Sequence, residues 1–213
     1  MKRILASALS AALLMGALAG CGGNTGSGSV SGSGSDASTG GSSSGENVIK
    51  IGVFEPATGD SASGGKKEML GMQYANSLTP TVEVGGTEYT VELVYADNGS
   101  STDKAPTAAS QLVSEGVSLV LGSYGSGVSI AGGPTFGSAG IPAIGVTCTN
   151  PNVTAGNDYY FRICFLDPFQ GTVLANFAMD NFDAQVAYCL GEAGNEYDQG
   201  LIAYFTQAFE AAG

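Results

Sequence analysis

The chain has 213 residues, 43% hydrophobic and only 12% charged, with seven Lys and Arg against nineteen Asp and Glu for a net charge of −12. Such a composition builds a globular core and excludes a charge-rich coiled coil, and the shortage of cations excludes the basic footprint of a nucleic-acid binder. His and Trp are absent, which removes the Ser-His-Asp and Cys-His pairings and the commonest metal ligand. In chain order, Met1-Lys2-Arg3 is a basic start, Ile4 to Ala19 is almost wholly apolar, and small residues follow. This pattern predicts a bacterial export signal over residues 1–20, and the apolar run is too short for a comfortable membrane span.

Leu18-Ala19-Gly20-Cys21 resembles the lipobox of bacterial lipoproteins. The resemblance implies cleavage before Cys21 and acylation of its thiol. Residues 22–46 hold nine Gly and nine Ser and no aromatic residue. A segment of this kind cannot bury enough apolar surface to offset its ordering entropy. Residues 21–46 are therefore expected to be a lipidated Cys and a flexible tether of roughly 25–30 Å. The folded part is expected outside the cell, anchored by lipid to the outer face of the membrane, on the periplasmic side where an outer membrane exists.

The folded region is expected from residue 47. Val48 to Phe54 is rich in β-branched residues and reads as a buried first strand, followed by the turn cluster Glu55 to Gly65. Lys66 to Leu78 has helical spacing, and Pro80 stops it. Thr81 to Val84 and Thr87 to Ala96 flank Gly85-Gly86, a hairpin signal, and the second arm is expected beside the first strand. Helices are then expected over 102–115, 126–139, 167–181 and 197–212, with Gly132, Gly133 and Pro134 marking a kink. Strands are expected over 117–121, 141–144 and 185–190, with 159–165 extended. This alternation predicts an α/β fold with a parallel sheet covered on both faces.

Ligands of such sheets sit at the carboxyl ends of the strands. Three loops leaving those ends are rich in Gly, Ser and Thr: 58–65, 122–127 and 145–151. Glycine lets a backbone approach a ligand, and hydroxyls supply neutral hydrogen bonds. The second loop opens a helix, whose free N–H groups suit an anion. Arg162 is the only cation after Lys104, so an anionic ligand group would be held mainly by N–H and hydroxyl dipoles.

Beyond Cys21 the cysteines are Cys148, Cys164 and Cys189, an odd number that allows at most one disulfide within the chain. With no C-x-x-C spacing, neither a zinc site nor a redox dithiol is indicated. Cys164 and Cys189 read as small buried apolar residues. Ser126 lies in Tyr124-Gly125-Ser126-Gly127-Val128, which is not a nucleophile elbow, and Gly125-Ser126-Gly127 lacks the third glycine of a dinucleotide loop. No catalytic residue, metal or cofactor is expected, and Tyr159-Tyr160-Phe161 reads as a strand packed into the core.

Ile49-Lys50-Ile51-Gly52-Val53, Thr58-Gly59, Asp97-Asn98, Gly122 with Ser126, Gly140-Ile141-Pro142, Thr147-Cys148-Thr149 and Tyr197-Asp198-Gln199-Gly200 occur in one order and spacing. The ordered set resembles the leucine/isoleucine/valine-binding family of extracytoplasmic solute receptors for ABC transporters, from about Val48 onward. The resemblance implies the type I periplasmic-binding-protein fold, two Rossmann-like lobes with parallel sheets closing on a small ligand. The first lobe would run over 47–165 and the second over 166–213, so the chain reads as C-terminally truncated, with an incomplete second lobe and weak ligand binding by itself.

The resemblance also implies roles for particular residues. Ser126, in a loop with Tyr124 and Gly125, would meet a ligand carboxylate. Thr147, Cys148 and Thr149 would give backbone and hydroxyl contacts to amino and carboxylate groups, and Tyr197 would close over the ligand. An aromatic residue often found in the first loop is Gly64 here, and an Ala of the third loop is Cys148. Both bear on the ligand, with a branched-chain amino acid first and other amino acids, amides and urea open. The implied partners are the ligand, ABC permease subunits and the membrane through the lipid anchor. The alternative is a ligand-sensing ectodomain of the same fold, which would need a membrane-spanning helix and a signalling domain.

Overall fold

The computed structural model describes residues 47–212. The export signal, the lipobox and the tether lie outside the described residues. The strands are β1 (Val48–Glu55), β2 (Thr81–Val84), β3 (Thr87–Asp97), β4 (Leu119–Leu121), β5 (Ala143–Gly145) and β6 (Tyr160–Arg162). The helices are α1 (Ala62–Leu78), α2 (Ala105–Ser114), α3 (Ser126–Ala139), α4 (Asp167–Phe182) and α5 (Glu196–Ala212), with a single 3₁₀ turn at Pro151–Val153.

The strands form one sheet in the order β2-β3-β1-β4-β5-β6. β2 and β3 are the antiparallel arms of the expected hairpin, turning at Gly85 and Gly86 with φ of 60° and 80°, which suits the primed turn that matches strand twist. Every other neighbouring pair is parallel. The chain moves from β1 outward to β3, then returns to place β4 on the opposite side of β1. The sheet therefore reverses its winding between β1 and β4, the place where open α/β sheets leave a crevice.

Alternate residues of the strands feed two faces. Phe54, Ala96 and Val120 lie in one core with Ala105, Ala109 and Leu112 of α2 and Phe136 of α3. Phe54 and Phe136 meet edge to face with centroids 5.3 Å apart. On the other face α1 sets its Gln73 amide on the Tyr95 hydroxyl and its Asn76 amide on the Val91 carbonyl. α3 runs unbroken through Pro134. Its glycine pair serves close packing: a β-carbon at Gly132 would lie 2.6 Å from Phe54 Cζ, and one at Gly133 2.9 Å from the Tyr160 ring.

Four sequence expectations are corrected. α2 begins at Ala105 rather than at 102, residues 102–104 forming turns before it. Residues 185–190 form no strand; Val186, Tyr188 and Leu190 are exposed. A β-pattern makes a strand only where a neighbour takes its N–H and C=O groups, and no described strand lies alongside. Of Tyr159, Tyr160 and Phe161, only Tyr160 is buried, since alternation turns its neighbours outward. The three described cysteines are free, and the buried one is Cys148, with Cys164 half-buried and Cys189 exposed.

α4 and α5 pack on each other, and α5 touches the start of α3: a β-carbon at Gly127 would lie 3.5 Å from Glu196 Cγ. Among the described residues no helix is long and apolar enough to cross a membrane.

Candidate functional site

The five parallel strands end on one side of the sheet, and the loops that follow them surround a cleft of about 470 Å³. Ser61 comes from the loop after β1, Tyr124, Gly125 and Ser126 from the loop after β4, Thr147 and Thr149 from the loop after β5, and Cys164 and Phe165 from the chain after β6. Gln170, Asn195, Tyr197 and Asp198 of the α4–α5 region form the opposite wall. Ser61, Tyr124, Gly125, Ser126 and Asn195 also border a second hollow of about 430 Å³, reached by Ser100 and Thr102 from the loop after β3.

The first loop is held by Asp97. Its carboxylate accepts from the backbone N–H groups of Ala57 (2.9 Å), Thr58 (3.2 Å) and Gly99 (2.8 Å), and from the Thr58 hydroxyl (2.7 Å). Slight burial resists ionisation, but the Thr58 hydroxyl and these N–H groups outweigh it and hold Asp97 below the ordinary carboxylate range.

The second loop ends at Gly125, where α3 begins. The earliest N–H of α3 bonded within the helix is that of Ser129, to Gly125 O at 3.2 Å. The N–H groups before it give this end of the cleft a positive partial charge. The Ser126 hydroxyl accepts from Asn150 N–H at 3.3 Å, which leaves its own proton for an acceptor in the cleft. The N-termini of α1 and α5, at Ser61 and Asn195, border the same space, and Asn195 caps α5 by accepting from the N–H groups of Tyr197 and Asp198. The Tyr160 hydroxyl donates to Gly122 O at 2.7 Å and braces the loop from beneath.

Tyr124 stands where Gly64 leaves room. A β-carbon at Gly64 would lie 2.5 Å from Tyr124 Cζ and 2.6 Å from both Cε atoms. The space vacated at Gly64 is thus filled by a ring from the second loop, and any side chain at position 64 would displace it.

In the third loop Thr147 is exposed to the cleft, and its hydroxyl donates to Glu68 Oε1 of α1. The Thr149 hydroxyl is buried without a hydrogen-bond partner. Cys148 is the exception among the residues read from the sequence. Its side chain lies in the core against Gly145, not in the cleft, because a loop that points Thr147 outward turns the next residue inward. Burial pushes its thiol up to about 11, partly opposed by Ser129. Arg162 is used inside the protein: its guanidinium donates to the carbonyls of Cys148, Asn150 and Pro151 and to the Thr154 hydroxyl. The loop's shape therefore depends on the Arg162 guanidinium, whose donors are spent inside the protein.

Two further carboxyls lie behind the walls. Glu55, 1% exposed at the end of β1, accepts from Tyr124 N–H at 2.8 Å, and its Oε1 has no hydrogen-bond partner. Burial, then the neighbouring Glu68, pushes it up to about 10 against the pull of that N–H. Asp167, wholly buried at the first turn of α4, donates its backbone N–H to Thr149 O. Its carboxylate oxygens have no hydrogen-bond partner, and burial raises it against the adjacent Thr149 hydroxyl and the Arg162 charge.

The structure thus gathers Tyr124, Gly125, Ser126, Thr147, Thr149 and Tyr197 around one cleft and excludes the Cys148 side chain. Sequence reasoning missed Cys164, Phe165, Gln170, Asn195 and Asp198 as lining residues. The Leu166-Asp167-Pro168 helix start right after a strand was the available signal that the chain leaves the sheet beside the cleft. Glu68 was missed because nothing in a helical repeat marks which polar residue faces a distant loop. Among the described residues no cluster of three His, Cys, Asp or Glu side chains could hold a metal ion.

The family profile described as periplasmic binding protein matches residues 48–213. A Leu/Ile/Val-binding protein homolog of Brucella melitensis is 29% identical over 167 residues, 78% of this chain and 45% of that protein. Among solved structures, a leucine binding protein of Thermotoga maritima shares 34% identity at a TM-score of 0.74, covering 78% of this chain and 47% of that one. A branched-chain amino acid transporter substrate binding protein of Streptococcus pneumoniae, in complex with isoleucine, shares 28% at 0.69, covering 76% and 47%. A solute binding protein of an ABC transporter from Rhodopseudomonas palustris, in complex with 4-hydroxybenzoate, shares 28% at 0.66, covering 78% and 44%. The chain spans about half the length of the relatives it matches. The fold is the type I periplasmic-binding-protein fold, and these relatives are binding proteins.

Proposed function

The chain belongs to the periplasmic binding protein family, whose setting is extracytoplasmic, and from that premise we propose that it is the solute-binding lipoprotein of an ABC importer, taking a small amino acid, with branched-chain ones first. The carrying observation is the cleft at the winding reversal of the sheet, where residues from separate loops and from α5 converge. Ser126 and the start of α3 offer donors to a carboxylate without a cation. Tyr197, its hydroxyl accepting from Gln170 Nε2 at 2.9 Å, stands on the far wall.

In this reading, β1 to β6 with α1 to α3 form one lobe, and α4 and α5 begin the second. A ligand touching both walls favours the closed arrangement by the contacts it gains there. The permease reads the closed shape, and the acylated Cys21 and the Gly/Ser tether keep the receptor near it at raised effective concentration. No bond of the ligand is broken, so the protein is not an enzyme.

Calorimetric titration of the full-length protein against an amino-acid panel tests this. One amino acid is expected to bind one to one, and the Ser126→Ala, Thr149→Ala double variant to bind it at least about tenfold more weakly. Equal binding by the variant contradicts the assignment of the site.

A further inference from the structure

Glu55, buried at the end of β1, and Glu68, half-buried on α1, each hold one wall of the cleft. Glu55 holds the backbone of Tyr124, and Glu68 holds the hydroxyl of Thr147. Glu55 Oε1 and Glu68 Oε2 are both buried and have no hydrogen-bond partner. Burial favours the protonated form of Glu55. No cation pairs with either carboxyl: the only ion pair among the described residues is Lys50 with Glu115, and Arg162 is turned into its own loop.

A threonine hydroxyl has one proton to give. At Thr147 that proton goes to Glu68, so what the hydroxyl presents to the cleft is lone pairs alone. The cleft then has two unlike poles. The Ser126 hydroxyl and the start of α3 offer donors, whereas Thr147 offers an acceptor backed by a carboxylate. We propose that Glu68 is a positioning residue which, by taking the Thr147 proton, makes that hydroxyl an acceptor for a ligand ammonium and so restricts the cleft to small molecules carrying both an ammonium and an anionic group. The proposal rests on the binding-protein reading and deepens it. It separates amino acids from amine-free acids such as the hydroxybenzoate held by one of the similar structures.

The test is calorimetric titration of the full-length protein with two probes on one carbon skeleton, L-leucine and the amine-free 4-methylpentanoate. If another amino acid binds best in the panel, it and its own deaminated acid replace them. Glu68→Gln keeps an acceptor for Thr147 but removes the charge, and Thr147→Val removes the hydroxyl. Both are expected to weaken the amino acid roughly tenfold, about 1.4 kcal/mol, and to leave the amine-free acid within about twofold. Thr147→Ser, which keeps the hydroxyl, is expected to keep the wild-type preference; a merely structural role would instead make Glu68→Gln and Thr147→Val weaken both probes alike. Equal weakening of both probes, or an unchanged amino acid affinity, overturns the proposal. Wild-type protein that binds the amine-free acid as tightly as the amino acid overturns it too, with the binding-protein reading intact. Wild-type protein that binds no amino acid overturns that reading and this proposal together.

Discussion

The sheet with its flanking helices and the α4–α5 pair use the same aromatic residue and the same ring geometry with different results. Phe54 and Phe136 meet edge to face at 5.3 Å, and Phe177 and Phe182 do so at 5.7 Å. The first two rings are fully buried, while Phe177 is 53% and Phe182 70% exposed. Ring geometry adds about 1 kcal/mol to a pair, whereas removing a ring from water is worth about 1.5–3 kcal/mol. The stability of the described residues therefore resides in the sheet and its helices. Polar groups divide along a similar line. Asp97 at the strand ends accepts four hydrogen bonds, while Asp167, where the chain leaves the sheet, is buried and accepts none.

Phe136→Ala should break the contrast from its strong side, costing about 3–5 kcal/mol through lost burial and the cavity left against Phe54, read by denaturant unfolding. Glu55→Gln should sharpen it in a pH-dependent way. The native state holds a proton on Glu55 up to about pH 10, but the unfolded chain releases it near the ordinary value of 4.5. Native stability therefore falls as pH rises between those values, at no more than one proton's slope, about 1.4 kcal/mol per pH unit. The glutamine variant should show a flatter profile, gaining on the wild type at pH 8 and matching it near pH 4; parallel profiles would remove the protonated Glu55 from the account.

Asp97→Asn should cost about 1–2 kcal/mol at neutral pH by weakening charge-assisted hydrogen bonds. Asp97 is held below its ordinary value, so its contribution is present above the unfolded pKa and is lost as pH falls through the folded one. The deficit of the variant should shrink in acid, measured by thermal melts from pH 7 to pH 3. Phe182→Ala should be the smallest change, about 0.5 kcal/mol or less, as for other exposed positions.

The parallel sheet, the hairpin and the place of its second arm beside β1 were legible because β-branched runs, Gly85-Gly86 and crossover lengths constrain such a sheet to few arrangements. Six lining residues were legible through the family resemblance and its loops. For Cys148 the resemblance carries a backbone position only, while the direction its side chain takes, into the core, depends on the local turn. Residues 185–190 show the complementary limit: their pattern states that they want a neighbour but not that one is present. Glu55 and Glu68, 13 positions apart, reach the Tyr124 backbone and the Thr147 hydroxyl only through the packing of α1 and the loops on the sheet, which no local pattern records.

The central claim is a cleft that holds a small zwitterion between Ser126 and Thr147. Diffraction from crystals of the full-length protein grown with the best-binding amino acid tests it most directly. The account predicts the ligand carboxylate at the Ser126 hydroxyl and the first N–H groups of α3, with the ammonium at the Thr147 hydroxyl. A ligand seated elsewhere, or turned end for end, would contradict it.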